Sequence, residues 1–428
     1  MSNNFFDIEA DRNLQDILTA QLKPHVERFK RNCPSLSDKL FIESGINWIM
    51  SENNNCRDFL QHSEEVHNNK IARTTFSEAM HSPRRLDFVS NVSQQYYESL
   101  NKLLLADKVD YLKEFKELDE YGLFSIDGHY IEHCSHTERN EKGKVYAAGN
   151  LYALNMRSGL MQHFDFVSDG TGKNHEMPIF RKRVKIENDF NNFKDQKTIF
   201  INDRAFMDFR WWATQKQKGN FVISRVKENN TPIKCGDIKF DKNDPINAGV
   251  VANRQGGFTS SGIIMRIIDY INPETGEEMT FYTTLGNEIR PGLVCWLYFL
   301  RWQIEKVFDS FKNAFQMTKA WATKNRATQI QGHFICLVYN FVQFLSEKTK
   351  KHESCEDEKA MKKYAMNLEV REVKAKELGR YIHPLIYINR RISQISRQFI
   401  RAVKNHFYLE MPLRLVIPVF ADRLKRYL

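Results

Sequence analysis

The sequence predicts an α/β protein in which helices cover a sheet. Two observations support this class. First, short apolar segments at residues 123–129 and 198–203 have strand length and end at or near an aspartate. Second, residues 204–218 have a helical pattern and residues 220–225 form another apolar, strand-like segment. Strand, helix and strand in succession are typical of a sheet covered by helices. A chain of 428 residues with 42% hydrophobic content can bury a large core of two or three domains.

The N-terminal region, residues 1–118, is predicted to be helical, because its apolar residues recur at helical spacing. Residues 71–80 predict a short helix, which is followed by a basic segment at Ser82, Pro83, Arg84 and Arg85. Two interpretations remain open for this region. It is either a small helical module that binds DNA ends or a plain helical scaffold.

The rest of the chain divides into four parts. Residues 119–225 form the first part of the sheet domain, with the next strands of a meander within residues 144–160. Residues 226–285 are rich in Gly, Pro and Asn and predict a β-rich insertion that splits this domain. Residues 286–345 complete it, and 334–345 predict a core helix. Residues 346–428 begin with a charged helical connector and continue as a basic helical region suited to DNA contacts or dimerisation.

Charge and cysteine usage restrict the class of protein. Sixty-three Lys and Arg against fifty-three Asp and Glu give a net charge of +10, which favours a polyanionic partner such as nucleic acid. Apolar runs stay below the roughly 18 residues of a membrane span, and the N-terminus lacks a secretory pattern. The seven cysteines contain no closely spaced pair. Reduced thiols in a cytoplasmic protein without a membrane partner are therefore expected.

The most informative segment is residues 298–312, which we interpret as one amphipathic helix. Tyr298, Arg301, Glu305 and Lys312 are spaced so that a helix brings all four onto one stripe, roughly 60° wide. An apolar stripe runs beside it. One narrow surface therefore carries a phenol, a guanidinium, a carboxylate and an ammonium group. A solvated amphipathic helix would explain any one of these residues, but it does not explain the four together.

Three carboxylates are the candidate catalytic residues. Asp127 and Asp203 follow predicted strands, so they can converge with Glu305 at one end of the sheet. Three carboxylates in close proximity require a cation between them, and oxygen ligands suit Mg²⁺ or Mn²⁺. Two such ions can stabilise the attacking and leaving oxygens of a phosphoryl transfer. Tyr298, Arg301 and Lys312 are then placed to hold DNA phosphates.

These residues resemble the DDE transposases of bacterial insertion sequences. The resemblance rests on Asp127-Gly128, on Asp203-Arg-Ala-Phe206 and on the Tyr-x₂-Arg-x₃-Glu-x₆-Lys signature with its internal Arg301-Trp-x-Ile-Glu305. It covers roughly residues 120–345 and is similar to the branch defined by that signature. It implies a ribonuclease-H-like catalytic core with a β-rich insertion before the glutamate.

The resemblance also implies an activity. Asp127, Asp203 and Glu305 would hold two divalent ions, Mg²⁺ with Mn²⁺ as a substitute, and Tyr298, Arg301 and Lys312 would hold the terminal phosphates. The implied reaction is cut-and-paste transposition: a metal-activated water cleaves at the transposon end, and the freed 3′-hydroxyl attacks a phosphodiester. The branch passes through a hairpin at the transposon end. The implied partners are the terminal inverted repeats, target DNA and a second copy of the chain, in the bacterial cytoplasm at the nucleoid.

Other residues receive structural interpretations. His129, His133, Cys134 and His136 lack a second ligand pair for zinc and are interpreted as surface residues of a strand and hairpin. Trp211, Trp212 and Trp302 are interpreted as packing residues. A basic cluster at residues 180–185 is either a phosphate-tracking segment or a solvated loop.

Three other functions remain possible at this point. The chain could be a metal-dependent DNA nuclease on the same core, without strand transfer. It could be a non-catalytic DNA-binding protein derived from a transposase, although that history predicts loss of the acidic residues. It could also be a basic helical binding module in which the three acids are coincidental.

Overall fold

The computed structural model describes most of the chain. The described residues are 5–31, 35–51, 55–67, 70–132, 148–167, 176–186, 197–226, 232–258, 262–322, 324–353, 358–380, 382–383, 385 and 397–425. The predicted cluster at His133, Cys134 and His136 lies outside these ranges.

One nine-stranded sheet organises the middle of the chain. Its spatial order is β3-β2-β1-β4-β5-β9-β8-β7-β6. The strands are β1 (Tyr121–Ile131), β2 (Ala148–Asn155), β3 (Met161–Val167), β4 (Lys197–Asn202), β5 (Asn220–Arg225), β6 (Ile233–Asp237), β7 (Val250–Phe258), β8 (Ile263–Ile271) and β9 (Glu278–Thr283). The predicted strand at 220–225 agrees with β5, and the one at 198–203 agrees with β4 to within one residue at each end.

The first five strands confirm the ribonuclease-H-like prediction. Strands β1, β2 and β3 form an antiparallel meander. Strand β1 also pairs with β4 in parallel, and β4 pairs with β5 in parallel. This mixed sheet, with the meander on one side and two parallel strands on the other, is the arrangement that defines the ribonuclease-H-like core. It places β1 in the centre, paired on both sides.

The β-rich segment continues this sheet. Strand β9 pairs antiparallel with β5, and β8, β7 and β6 follow outward. The segment is therefore an insertion in the chain order, as predicted. In space it extends the catalytic sheet, because the backbone groups of β5 that would form an exposed edge are paired by β9.

Among the described residues of the N-terminal region, six α-helices precede the sheet, as the helical spacing of residues 1–118 predicted. Asn13, Ser37 and Ser82 cap three of them by accepting a hydrogen bond from the main-chain N–H three residues later. The helices are α1 (Phe5–Glu9), α2 (Leu14–Phe29), α3 (Asp38–Met50), α4 (Cys56–His67), α5 (Arg73–His81) and α6 (Pro83–Ala106).

Helices within residues 176–352 cover both faces of the sheet. Helices α7 and α8 pack on the face that carries Phe124 and Ile126, within a separate apolar cluster that includes Trp212. The opposite face packs against the helices at residues 291–352. The helices are α7 (Glu176–Ile186), α8 (Phe209–Gln217), α9 (Pro291–Leu300), α10 (Trp302–Asn313), α11 (Asn325–His352), α12 (Glu358–Glu377), α13 (Arg397–Phe407) and α14 (Leu413–Lys425).

Helix α11 is the central helix of the molecule. Its segment 334–345 is buried throughout, which confirms the predicted core helix. It packs against α3, α6, β3 and α14, so it joins the N-terminal helices, the sheet and the C-terminal helices. The predicted connector at 346–376 begins as the last turns of α11, where Glu347 and Thr349 are still buried. In the part of the chain that the structure describes, none of the helices has the length and apolar character needed to span a bilayer.

Candidate active site

The sheet topology brings Asp127 and Asp203 side by side. In the parallel pair of β1 and β4, Ile126 lies opposite Asn202; Asp127 is the next residue of β1, and Asp203 directly follows the end of β4. Two parallel neighbouring strands thus deliver their acids at the same level of the sheet. The sequence prediction that these two residues converge agrees with this geometry.

Asp127 is a poorly solvated carboxylate. Its Oδ1 accepts a hydrogen bond from the main-chain N–H of Gly128 at 2.9 Å. The pKa of Asp127 is raised to about 7, mainly by burial and also by the charges of Glu176 and Asp203. Arg301 opposes these effects and lowers it. The negative charge at this position is therefore only partly compensated by the chain's own cations.

The side chain of Asp203 accepts a hydrogen bond from the main chain of the turn that follows it. The residue is the N-cap of the short 3₁₀ helix Arg204–Phe206, and its Oδ1 accepts from the N–H of Ala205 at 2.6 Å. Its main-chain oxygen accepts from the hydroxyl of Ser224 on the neighbouring strand at 3.1 Å. These bonds fix the turn after β4. The second carboxylate oxygen, Oδ2, takes no part in the cap.

Arg301 joins Asp127 to Glu305. Its Nη1 donates to Asp127 Oδ2 and its Nη2 donates to Glu305 Oε1, both at 3.0 Å. The residue is only 7% exposed, and its guanidinium lies 5.8 Å from the centre of the Tyr298 ring. Because one guanidinium donates to both carboxylates, it fixes their positions relative to each other. Glu305 is thereby brought to Asp127 across the sheet-helix interface.

The segment 298–312 is two helices rather than the single helix that we predicted. Helix α9 ends at Leu300 and α10 begins at Trp302, with Arg301 at the junction. Tightened i to i+3 hydrogen bonds flank the junction, from Arg301 N–H to Tyr298 O and from Ile304 N–H to Arg301 O. Arg301 itself keeps right-handed helical angles, so α9 passes directly into α10 without a connecting loop.

Tyr298 and Trp302 line an open cleft beside the acids. The cleft has a volume of about 370 Å³ and is lined by Asp203, Arg204, Arg225, Glu277, Met279, Tyr298, Phe299, Arg301 and Trp302. Tyr298 is mostly buried, and burial raises its pKa. Trp302 is 56% exposed, so our interpretation of it as a packing residue was wrong. Trp211 and Trp212 are buried, as predicted.

Lys312 lies two turns beyond Glu305 on α10 and is exposed. Its charge acts on His129, whose pKa is lowered to about 4 by burial first and by Lys312 second. His129 is 4% exposed and packs against Phe308 and Phe311 of the same helix. The prediction of a surface histidine is therefore wrong for His129. The imidazole serves the contact between β1 and α10.

Glu176 is an acid at this site that the sequence interpretation missed. It is the first residue of α7, and its Oε1 accepts a hydrogen bond from the hydroxyl of Tyr130 at 2.8 Å. Burial raises the pKa of Glu176, the hydrogen bond from Tyr130 lowers it, Asp203 raises it and Arg301 lowers it. No periodicity or spacing marks this residue. The feature of the sequence that could have indicated a close neighbour is Gly128, because a side chain at this position would overlap the Glu176 carboxylate.

The chemistry of these residues fits a divalent cation. The donors are carboxylate oxygens, which Mg²⁺ and Mn²⁺ prefer. In their present positions, the described side chains include no group of three or more His, Cys, Asp or Glu arranged to hold a metal. Arg301 lies between Asp127 and Glu305 instead.

A ribonuclease-H-like sheet with acids at its central strands places the chain in the class of ribonuclease-H-like proteins. The transposase DDE domain family matches residues 119–341, slightly more than half of the chain. The chain belongs to this family and is a transposase of the DDE type. Among solved structures, it is similar to the piggyBac transposase in a synaptic complex with hairpin DNA, with a TM-score of 0.37 and 12% identity over 90% of this chain and 83% of that one. No curated protein matches the sequence.

Proposed function

We propose that this transposase belongs to a bacterial insertion sequence, binds the terminal inverted repeats of its element, and catalyses strand cleavage and 3′-hydroxyl strand transfer. The observation that carries the proposal is the placement of Asp127 beside Asp203 on parallel strands, with Glu305 tied to Asp127 through Arg301. In a DDE-type transposase, these three residues are the candidates for the catalytic acids.

In this scheme the three acids bind metal ions. Divalent metal ions, two by the resemblance to the insertion-sequence branch, would activate water and stabilise charge on the reacting phosphate when bound to Asp127, Asp203 and Glu305. Asp127 presents its carboxylate from the central strand, and Asp203 is held in position by its capping turn. Glu305 approaches from the helix side.

Arg301 is suited to hold a phosphate as well as the acids. Its Nη1 and Nη2 donate to Asp127 and Glu305, whereas its Nε is buried and has no hydrogen-bond partner among the described residues. A buried donor without an acceptor is costly, and a phosphate oxygen entering the cleft would satisfy it. Tyr298 and Lys312 extend the same phosphate contact along the helices.

Trp302 adds an aromatic surface at the mouth of the cleft. Its exposed side chain lines the same cleft as Arg204 and Arg225, so a phosphate backbone bound to the arginines could place a base against the indole. Stacking of this kind binds single-stranded or displaced bases. It suits a reaction in which the transposon end is opened into a hairpin, as the resemblance implies.

The proposal extends to the assembly. The insertion-sequence branch works as a dimer in which each subunit binds one end and cleaves the other, and we assign the same arrangement to this chain at the nucleoid. The helical region 1–118 is the candidate for DNA-end binding and the basic region 346–428 is the candidate for dimer contacts. The net charge of +10 supports DNA as the partner.

The test uses the purified protein and a DNA fragment that carries its own gene with both natural flanks. We expect Mg²⁺- or Mn²⁺-dependent cuts at both flanks and no cuts in EDTA. Glu305→Gln should abolish cleavage while retaining DNA binding, because the amide keeps an oxygen that can accept from Arg301 but is a poor metal ligand. Glu410→Gln, a change at an exposed acid, is the control.

The other outcomes distinguish the alternatives. Cleavage by Glu305→Gln at the normal rate would refute the assignment of the acids. Cuts without joining of the 3′ ends to target DNA would identify a metal-dependent nuclease. Binding without cuts under either metal would identify a non-catalytic DNA-binding derivative.

A further inference from the structure

Glu176 lies at the acidic site but has no role in the scheme above. It belongs to α7, which packs on the face of the sheet opposite α10, the helix that carries Glu305. The two glutamates therefore approach the aspartates from opposite faces of the sheet. A role for Glu176 rests on the proposed function, because both use the same acids.

The surroundings of Glu176 bring its carboxylate against the main chain next to Asp127. A methyl group on Gly128 would overlap Glu176 Oε1, so the absent side chain leaves the space that the carboxylate fills. The hydroxyl of Tyr130, two residues further along β1, donates to the same oxygen at 2.8 Å. The segment Asp127-Gly128-His129-Tyr130 thus supplies an acid, the space for a second acid and a donor that orients it.

The charges around Glu176 connect it to the other acids. Its carboxylate interacts electrostatically with Asp127 and Asp203, and all three interact with Arg301. Arg301 also donates to Glu305, so the charges of four carboxylates act on one guanidinium. Mutual repulsion on this scale disfavours the arrangement unless additional positive charge enters it.

We propose that Glu176 is a fourth carboxylate of the catalytic metal centre, contributing an oxygen ligand for a divalent cation from the face of the sheet opposite Glu305. Tyr130 is its positioning residue, since the phenol contacts Glu176 rather than the reacting atoms. The absence of a side chain at Gly128 leaves room for the Glu176 carboxylate beside Asp127.

The experiment measures Mn²⁺ binding to the full-length protein by isothermal titration calorimetry without DNA, so the readout is independent of cleavage. Glu176→Gln should raise the dissociation constant at least about tenfold, as loss of a residue at a metal site does. Asp127→Asn is the positive control and Glu410→Gln the matched surface control. Circular dichroism and melting temperature establish that each variant is folded.

A second variant tests the positioning of Glu176. Tyr130→Phe keeps the carboxylate and removes the hydroxyl that orients it, so we expect a smaller rise in the dissociation constant. If Glu176→Gln does not fold, Tyr130→Phe decides alone. A raised constant with an unchanged melting temperature supports the proposal, and an unchanged constant overturns it.

The two proposals fail in different ways. If Asp127→Asn abolishes Mn²⁺ binding and Glu176→Gln binds like the wild type, Glu176 is a structural partner of Tyr130 and only the further inference is refuted. If Asp127→Asn binds Mn²⁺ like the wild type, the assignment of the catalytic centre itself is refuted, and the role of Glu176 with it.

Discussion

At the scale of single residues, the raised pKa of Asp127 predicts that the stability of the protein depends on pH. The pKa of Asp127 is about 7 in the folded chain, against about 3.9 in an unfolded one. Between these values the folded state binds more protons than the unfolded state, so the free energy of unfolding falls as pH rises from about 4 to about 7. Above pH 7 the carboxylate is ionised in both states and the loss is complete.

Asp127→Asn should remove this pH dependence. In EDTA, we expect the variant to match the wild type near pH 4 and to be more stable at pH 8. The difference is at most about 4 kcal/mol, from 1.36 kcal/mol per pKa unit. Chemical denaturation at a series of pH values measures it. Parallel stability curves for the two proteins would contradict the raised pKa.

Arg301 and Lys312 give a second prediction at this scale. Arg301→Ala and Lys312→Ala should each weaken binding of the transposon end and reduce the slope of log affinity against log salt by roughly 0.9 per lost phosphate contact. Arg301→Lys is the matched control. It keeps the charge and hence most of the slope, but it cannot bridge Asp127 and Glu305 as the guanidinium does. An unchanged slope in both alanine variants would refute the phosphate contacts.

The sequence predicted some of this site and missed the rest for physical reasons. Asp127 and Asp203 were predictable neighbours, because parallel strands bring equivalent positions together. Glu176 was not, since its approach depends on the packing of α7 against the sheet. The exposure of Trp302 and the pairing of Arg301 with the acids also depend on how helices α9 and α10 meet. Spacing along the chain does not specify that angle.

At the scale of elements, the inserted strands are held against the helix that leads to the site. A methyl group on Gly292, in the first turn of α9, would overlap the main-chain oxygen of Ile246. The Gly292 N–H also donates to Asn247 Oδ1 at 3.0 Å. The short 3₁₀ helix Pro245–Asn247 of the insertion therefore packs directly on α9, which carries Tyr298 at its other end.

Gly292→Ala should separate these elements. We expect a loss of about 1–3 kcal/mol in the free energy of unfolding, the usual cost of overpacking a buried contact, because the obstacle is backbone and cannot rotate away. Gly236→Ala on β6 is the control, since its added methyl meets nothing within 4 Å. Denaturant unfolding measures both. Equal stabilities of the two variants would show that α9 and the insertion can move apart at no cost.

Elements were easier to predict than their arrangement. Strands β6 to β9 lie within the predicted β-rich segment 226–285, yet the sequence did not indicate that β9 would pair with β5 and join the insertion to the catalytic sheet. Strand pairing between distant segments depends on complementary packing on both faces. The break at Arg301 was missed for a related reason, because every residue from 298 to 312 is compatible with a helix.

At the scale of the whole molecule, the two ends of the chain pack together. The N–H groups of Leu413 and Arg414 donate to the main-chain oxygens of Arg12 and Ala10 at 2.8 and 3.0 Å. Helix α14 packs against α1 and α11, and α13 packs against α2. Phe420, fully buried on α14, belongs to the same apolar cluster as the N-terminal helices. The division at residues 118 and 346 therefore separates segments that share one core.

Phe420→Ala tests whether this shared core makes the ends one cooperative unit. Truncating a buried phenylalanine costs about 3–5 kcal/mol, and we expect the loss to reach beyond its own helix. Hydrogen exchange should accelerate in α2 as well as in α13 and α14, because they open together. Leu415→Ala, at an exposed position of α14, should change stability by less than about 0.5 kcal/mol.

Acceleration of hydrogen exchange confined to residues 397–425 would mean that the C-terminal helices unfold by themselves. The proposed DNA-end binding by the first region and the proposed dimer contacts by the last would then be mechanically independent, whereas a shared core would couple them.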